Sequence, residues 1–375
     1  MVLCFTPAMA QDSARRAGLN GSILIKDHSD LGFFPQEATT YQNKIRVHTD
    51  GWGHSGVVLD GNKEMTWGLG FNNAQFAIGG PDAGGGDEPP TPEPEPGNIE
   101  EPGGDAQEGP GLPETAQMLD VFYARGNWGA RLGVGLGGGS QKVGDADETS
   151  ASAMDVAANF GMNLGAMDVG LALGLSNKEI TDAVTVSGLS VGAFLRGYKP
   201  MSEGVELGYY GYGAFGSGTE SPDGEGAEDT TSTAIFAGVG AGPVIKKGAS
   251  TVAIEGELGF RMFGSESGDN KASGTQIVVP KVNASFETPL NDWTTFRAGV
   301  GYEFAMSSGT VEQGDNKAES SSNGGDVSWA TGLSAKWSAL VFDLELNKSF
   351  LVDGPYMISG QGSGLASNLS ATYSW

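Results

Sequence analysis

The feature that most constrains this chain is a regular alternation of apolar and polar residues, which recurs from Met118 onward in stretches of about ten residues. In the last and clearest stretch, one phase holds Leu365, Leu369, Ala371, Tyr373 and Trp375, and the other holds Asn368, Ser370, Thr372 and Ser374. A period of two is typical of a β-strand with one face in an apolar environment and the other in a polar one. The chain is therefore predicted to be all-β.

A soluble β-sandwich shows the same alternation, so the connections between the stretches decide between a sandwich and a transmembrane barrel. Short connections fall near 126–127, 166–167, 199–203, 246–249, 289–292 and 338, and polar ones lie at 80–116, 139–152, 178–185, 217–230, 265–274, 307–326 and 351–363. Tight turns that alternate with large loops are typical of a transmembrane β-barrel. Counting from Met65 predicts a single antiparallel up-and-down barrel of about 14 strands (roughly 12 to 16), with short periplasmic turns and long external loops.

Composition excludes several other classes. The chain has no run of about 18 apolar residues for a spanning helix, and its single cysteine excludes a disulfide scaffold. A net charge of −25 argues against nucleic acid as a partner. Much of this charge is local, because residues 80–116 hold nine prolines, nine glycines and ten acidic side chains without one Lys or Arg. Such a segment buries too little apolar surface to fold and is predicted to be a disordered external loop.

The first 63 residues differ from the rest. Ala8-Met9-Ala10 resembles a signal-peptidase site, so residues 1–10 are expected to be the remnant of a signal peptide. Residues 11–63 are expected to form a tail, a lumenal plug or an extra strand, and residues 64–375 the transmembrane barrel. All three histidines (28, 48 and 54) lie in this region without metal-ligand spacing. With no histidine expected in the barrel, a hydrolase has no evident base, and neither an enzyme nor a cofactor is predicted.

At this point the chain resembles a Gram-negative outer-membrane β-barrel protein of the porin-like class. The C-terminal residues Leu365, Leu369, Ala371, Tyr373 and Trp375 resemble the signal read by the barrel-assembly machinery. The resemblance implies a place in the bacterial outer membrane, among lipid and lipopolysaccharide, with the acidic external loops as candidate sites for divalent cations. A looser likeness links residues 31–38, which read LGFFPQEA, to the long-chain fatty-acid transporter family, in which the N-terminal segment plugs the lumen.

Charged residues in the polar phase of the strands are the candidate functional residues. The predicted pore-lining set is Arg131, Arg196, Glu206, Glu255, Glu257, Arg261, Lys281, Arg297, Glu303, Lys336, Asp343 and Glu345. Charged rings in a water-filled lumen set the selectivity of a pore, so we expect passive diffusion of small hydrophilic solutes or ions. Two alternatives stay open. One is a plugged transporter of hydrophobic compounds, with Phe122, Phe194, Tyr210 and Tyr212 in the lumen, and the other is a structural or surface-interaction barrel.

Overall fold

A computed structural model describes residues 7–8, 13–49, 54–71, 77–78, 117–141, 149–181, 183–224, 226–314, 316–348, 351 and 365–375. Sixteen strands form one closed sheet. They are β1 (Lys44–Thr49), β2 (His54–Gly61), β3 (Met65–Phe71), β4 (Gln117–Arg125), β5 (Trp128–Gln141), β6 (Thr149–Asn163), β7 (Met167–Ile180), β8 (Val184–Ser202), β9 (Val205–Pro222), β10 (Thr230–Lys247), β11 (Ser250–Ser267), β12 (Asn270–Pro289), β13 (Thr294–Gln313), β14 (Asn316–Trp337), β15 (Leu340–Leu346) and β16 (Ala366–Ser374). Pro7–Ala8 and Ala77–Ile78 form a separate two-residue ladder.

Each strand pairs antiparallel with its neighbours in the chain, and β16 pairs with β1, where Tyr373 lies opposite Ile45. The predicted all-β, closed up-and-down barrel is therefore confirmed. The expected count of about 14 was too low, because the barrel begins at Lys44 and not at residue 64. Strands β1 and β2 contain only six and eight residues, which is shorter than the stretches used to count strands in the sequence.

Alternating side chains point outward and inward along each strand. In β4, Leu119 and Val121 are 67% and 54% exposed, whereas Asp120 and Phe122 are each 1% exposed. In β16, Leu369 and Tyr373 are exposed, as is Trp375 just beyond it, whereas Ser370 and Thr372 are buried. An apolar outer wall around a polar interior is the pattern of a barrel that sits in lipid.

Two of the predicted external loops consist largely of paired strand ends instead. At 265–274, β11 runs to Ser267 and β12 starts at Asn270, and at 307–326, β13 runs to Gln313 and β14 starts at Asn316. The backbone ladders continue there, although the side chains are polar on both faces. The sequence pattern failed because a strand that rises above the bilayer keeps its backbone hydrogen bonds without needing an apolar face. The predicted loop at 80–116 lies outside the described residues.

Residues 13–43, called the plug from here on, lie inside the barrel. They contain a four-residue helix, α1 (Ala14–Ala17), and two 3-10 turns, His28–Gly32 and Pro35–Thr39. The Ser13 hydroxyl caps α1 by accepting a hydrogen bond from the Arg16 amide at 2.9 Å. Asp27 and Asp30 form a reciprocal capping box at the first 3-10 turn. Within the described part of the chain, no helix has the length and hydropathy needed to cross a membrane.

Candidate functional site

The plug occupies the end of the barrel where the connections are short, at residues 62–64, 126–127, 164–166, 203–204, 248–249, 290–293 and 338–339. Glycines in the wall let its backbone approach closely. A Cβ atom built on Gly129 would lie 2.5 Å from the Gln36 amide nitrogen, and one built on Gly170 would lie 2.0 Å from the Phe33 carbonyl oxygen. Since Cβ atoms do not come this near to backbone atoms, only glycine permits this packing.

A buried carboxylate joins the plug to the wall. Asp30 accepts hydrogen bonds from Arg16 of the plug and, at 2.8 Å, from Arg196 of β8. All three side chains are almost completely buried. Burial alone would raise the pKa of Asp30, but the guanidinium groups of Arg16 and Arg196 hold this pKa below its usual range. The plug is therefore docked with Asp30 ionised at neutral pH.

Further ion pairs hold the plug at other points of the wall. The Lys26 ammonium lies 2.5 Å from Glu37 within the plug and 2.9 Å from Asp168 of β7. Five strands further round the barrel, Arg15 pairs with Glu287 of β12 at 2.9 Å. Glu287 also pairs with Arg297 of β13, which in turn pairs with Asp343 of β15. The plug is thus joined to wall strands on more than one side of the lumen.

Between the plug and the wall lies a cavity of about 210 Å³. Phe33 of the plug and Phe194 of β8 are in contact there, with ring centroids 4.4 Å apart. The hydroxyl groups of Tyr210 and Tyr212 each donate a hydrogen bond to Glu257 at 2.8 Å. The cavity therefore combines an aromatic wall with fixed charges, which is the composition of many small-molecule sites.

A second cavity, of about 280 Å³, continues from the first and is more polar. The two share Asn20, Lys281 and Asn283, so the side chain of Lys281 lies at the junction between them. Glu303 and Asp326 line only the second cavity. The lining thus changes from aromatic in the first cavity to polar in the second.

The predicted pore-lining residues differ in burial and fall into three groups. Six are buried: Arg131, Arg196, Glu255, Glu257, Arg297 and Asp343. Five are half-buried (Glu206, Arg261, Lys281, Glu303 and Glu345), and Lys336 is exposed at the short-turn end. Most have protein partners, as with Arg131 and Asp120 at 2.8 Å or Glu206 and Lys246 at 2.7 Å. Of this set, the first cavity brings together Arg196, Glu255, Glu257 and Lys281.

Sequence reasoning missed the plug side of the cavity, which Arg16, Asp30, Phe33 and Phe34 provide. Of the predicted lumenal aromatics, Phe194, Tyr210 and Tyr212 line the same cavity. Phe122 instead packs in an apolar cluster with plug residues Leu31, Ala38 and Tyr41 and wall residues Val57, Leu59 and Ala124. Besides the likeness of residues 31–38, a local signal for a turn in the plug was the pair Asp27 and Asp30 at capping-box spacing.

Two of the three histidines lie in the barrel wall. His48 and His54 belong to β1 and β2, so the expectation that the barrel contains no histidine was wrong. His28 is in the plug, stacked on Tyr41 with ring centroids 4.1 Å apart. Among the described residues, no group of three or more His, Cys, Asp or Glu side chains is arranged to hold a metal ion.

These features define a class: a transmembrane β-barrel with sixteen strands and an N-terminal plug in its lumen. No protein-family model matches the chain, and no curated protein matches it. Among solved structures it is similar to the ferric yersiniabactin uptake receptor FyuA of Yersinia pestis, with 9% identity over 61% of this chain and a TM-score of 0.37. It spans 44% of that receptor, which is less than half of its length.

Two other solved structures come from Neisseria meningitidis. The translocator domain of autotransporter NalP is 13% identical over 72% of this chain and 90% of its own length, with a TM-score of 0.31. The FrpB iron transporter is 9% identical over 85% of this chain and 70% of its own length, with a TM-score of 0.34. Such scores are too low to assign a family, so the class rests on strand topology and on the apolar outer wall. The porin-like and fatty-acid-transporter resemblances remain predictions.

Proposed function

We propose that this protein is an outer-membrane transport barrel in which the plug gates the passage of small molecules with an apolar body. The observation that carries the proposal is the position of residues 13–43, which fill the lumen at the short-turn end and are ion-paired to the wall. A molecule that enters from the other end meets the polar cavity, then the aromatic one, and then the plug. Passage therefore requires the plug to move.

The same proposal includes the surroundings of the barrel. Its apolar wall would face lipid and lipopolysaccharide, and barrel-assembly machinery would read the C-terminal strand, where Tyr373 and Trp375 point outward. The short-turn end, with the plug, would face the periplasm.

Passive diffusion of hydrophilic solutes is the second candidate. It is favoured by the polar cavity, where Lys281, Glu303 and Asp326 give the lumen both signs of charge. This function needs an open path beside the docked plug, whereas a gated transporter needs the plug to leave. The two candidates therefore differ in whether current depends on plug movement.

The test is single-channel current in planar bilayers with the plug tethered or free. The Asn20 amide nitrogen lies 2.9 Å from the Ser328 hydroxyl, so a pair of cysteines at these positions, in a Cys4→Ser background, can be joined by a short reducible bifunctional thiol reagent. Gating predicts rare openings in the wild type, none in the tethered protein, and recovery after reduction. It also predicts frequent openings in Asp30→Asn, which weakens docking. Equal currents in tethered and reduced protein would support the passive pore instead.

A further inference from the structure

At the cavity between plug and wall, two buried hydrogen-bond donors and one buried acceptor make no hydrogen bond within the described part of the chain. Arg196 uses one terminal nitrogen, Nη1, to bind Asp30 and the Ile23 carbonyl oxygen. Its Nε and Nη2 atoms are buried and make no hydrogen bond within the described residues. The Oε2 atom of Glu255 makes no hydrogen bond of standard geometry either, although the Ser22 hydroxyl and the Ile23 amide lie near this carboxylate. Buried polar atoms that lack partners are costly, so their presence at a cavity points to a ligand that supplies the partners.

The charges around the cavity are balanced. Three carboxylates, from Asp30, Glu255 and Glu257, line it together with three cations, from Arg16, Arg196 and Lys281. A ligand with one net charge would leave an uncompensated charge in this buried space. A ligand that carries both signs keeps the balance and binds the donors and the acceptor together.

Part of the remaining wall is aromatic. The Phe33, Phe34 and Phe194 rings line the cavity, and Arg196 lies over the Phe34 ring at 4.8 Å. This side suits an apolar group on the ligand, and the volume of about 210 Å³ limits that ligand to a small molecule.

We propose that the cavity binds a small zwitterion with an apolar side chain, of the α-amino acid class. Its ammonium group would bind Glu255, its carboxylate would bind Arg196 and Lys281, and its side chain would lie against Phe33, Phe34 and Phe194. The inference rests on the proposed transport function, because it names the class of molecule that reaches the plug.

Three probe molecules that share a phenyl ring on a two-carbon chain test whether binding requires the ammonium group, the carboxylate or both. They are L-phenylalanine, which carries both charges, phenethylamine, which carries only the ammonium, and 3-phenylpropionate, which carries only the carboxylate. Binding is measured by isothermal titration calorimetry on the full-length barrel in detergent at pH 7. We expect L-phenylalanine to bind at least tenfold more tightly than either of the others, since each of the others lacks one of the two charged groups that would hydrogen-bond to the site.

Two variants test which residues bind the ammonium group and the carboxylate of the ligand. Glu255→Gln should weaken L-phenylalanine binding about tenfold and leave 3-phenylpropionate unchanged, whereas Lys281→Gln should weaken both of these and spare phenethylamine. Glu303→Gln is the matched control, because Glu303 lines only the second cavity. Heat-modifiable mobility on a gel verifies that each variant is a folded barrel.

The outcomes are distinct from those of the bilayer experiment. Equal or tighter binding of 3-phenylpropionate would make this an anion site, and equal or tighter binding of phenethylamine a cation site, and either result overturns the proposal. If none of the probes binds while Asp30→Asn still conducts, the ligand class is wrong and the gating function stands. Selective L-phenylalanine binding without plug-dependent current would retain the site and reject the gate.

Discussion

Asp30 of the plug and Arg196 of β8 form an ion pair at 2.8 Å, although 166 positions separate them in the chain. Neither side chain has more than 2% of its surface exposed. Arg16 binds the other oxygen of the same carboxylate, so one plug residue pairs with two buried guanidinium groups. Removal of this carboxylate takes an ion-pair partner from both buried guanidinium groups.

The first prediction follows from this arrangement. Asp30→Asn should destabilise the docked plug by about 3–5 kcal/mol without unfolding the barrel, because the sheet does not depend on the plug for its backbone hydrogen bonds. Limited trypsin digestion measures the effect, with faster cleavage after Lys26 as the expected result. Glu206→Gln is the control, since the more exposed pair of Glu206 with Lys246 contributes at most about 1 kcal/mol. Equal cleavage rates for wild type and Asp30→Asn would contradict the prediction.

The second prediction concerns the close approach at Gly170. In Gly170→Ala the new Cβ atom would lie 2.0 Å from the Phe33 carbonyl oxygen, so the plug backbone has to shift. We expect a loss of about 1–3 kcal/mol in docking, read as faster trypsin cleavage of the plug. Gly139→Ala is the matched control on β5, because nothing lies within 4 Å of its Cβ position. An unchanged cleavage rate in Gly170→Ala would show that the plug does not pack on β7 in this way.

The third prediction is a pH dependence of plug docking. Burial and the charge of Arg46 lower the pKa of His28 to about 3, so His28 is neutral in the docked plug. A released plug exposes this ring, and its pKa returns to about 6.5. Protonation then favours release: the contribution of His28 to docking is complete above about pH 6.5 and is lost, by up to about 1.4 kcal/mol per pH unit, as the pH falls toward 3.

Spin labels at residues 20 and 328 measure this release as a gain in label separation and mobility between pH 7 and pH 4. His28→Phe keeps a ring against Tyr41 and removes the titrating group, so it should abolish most of the change in this window. The lowered pKa values of Asp27 and Asp30 affect docking only as the pH falls toward about 4, at the acidic end of this window. A response in His28→Phe equal to that of the wild type would assign the effect to another group.

The fourth prediction tests the lipid-facing wall. Leu171, the fifth residue of β7, and Leu164, in a short turn, are both 53% exposed. Leu171→Arg should destabilise the folded barrel by about 2–4 kcal/mol, whereas Leu164→Arg should cost about 0–1 kcal/mol because it lies near the interface. Urea unfolding in phospholipid bilayers gives both values. Equal losses would place Leu171 outside the hydrocarbon region.

The strand pattern was predictable wherever lipid imposes it. Leu119 and Val121 alternate with Asp120 and Phe122 because lipid accepts only one of the two faces, and this periodicity can be read directly from the residues. The pattern disappears in Asn316–Trp337 of β14, whose first ten residues are exposed on both faces. No rule of alternation applies there, so the strand was interpreted as a loop.

Of the residues that line the candidate site, only those on the barrel wall were predictable from the sequence. Arg196, Glu255 and Glu257 were recognised as inward because strand phase is a local property. Their plug partners were not, because the contact between Asp30 and Arg196 depends on closure of the whole sheet. The sequence around Asp30 shows a capping box, which predicts a turn and not its place in a lumen.

Closure of the sheet also has a kinetic consequence. Lys44 and Ser374 are paired although they are 330 positions apart in the chain, so their meeting is an entropically unfavourable step. Helix α1 touches β14, β15 and β16, and it ends only 27 positions before Lys44. If α1 docks first, the chain left to close is about twelvefold shorter, which lowers the entropic cost of closure by about 2 kcal/mol. The plug then assists closure of the barrel that encloses it. A chain that lacks residues 13–43 should close its barrel more slowly.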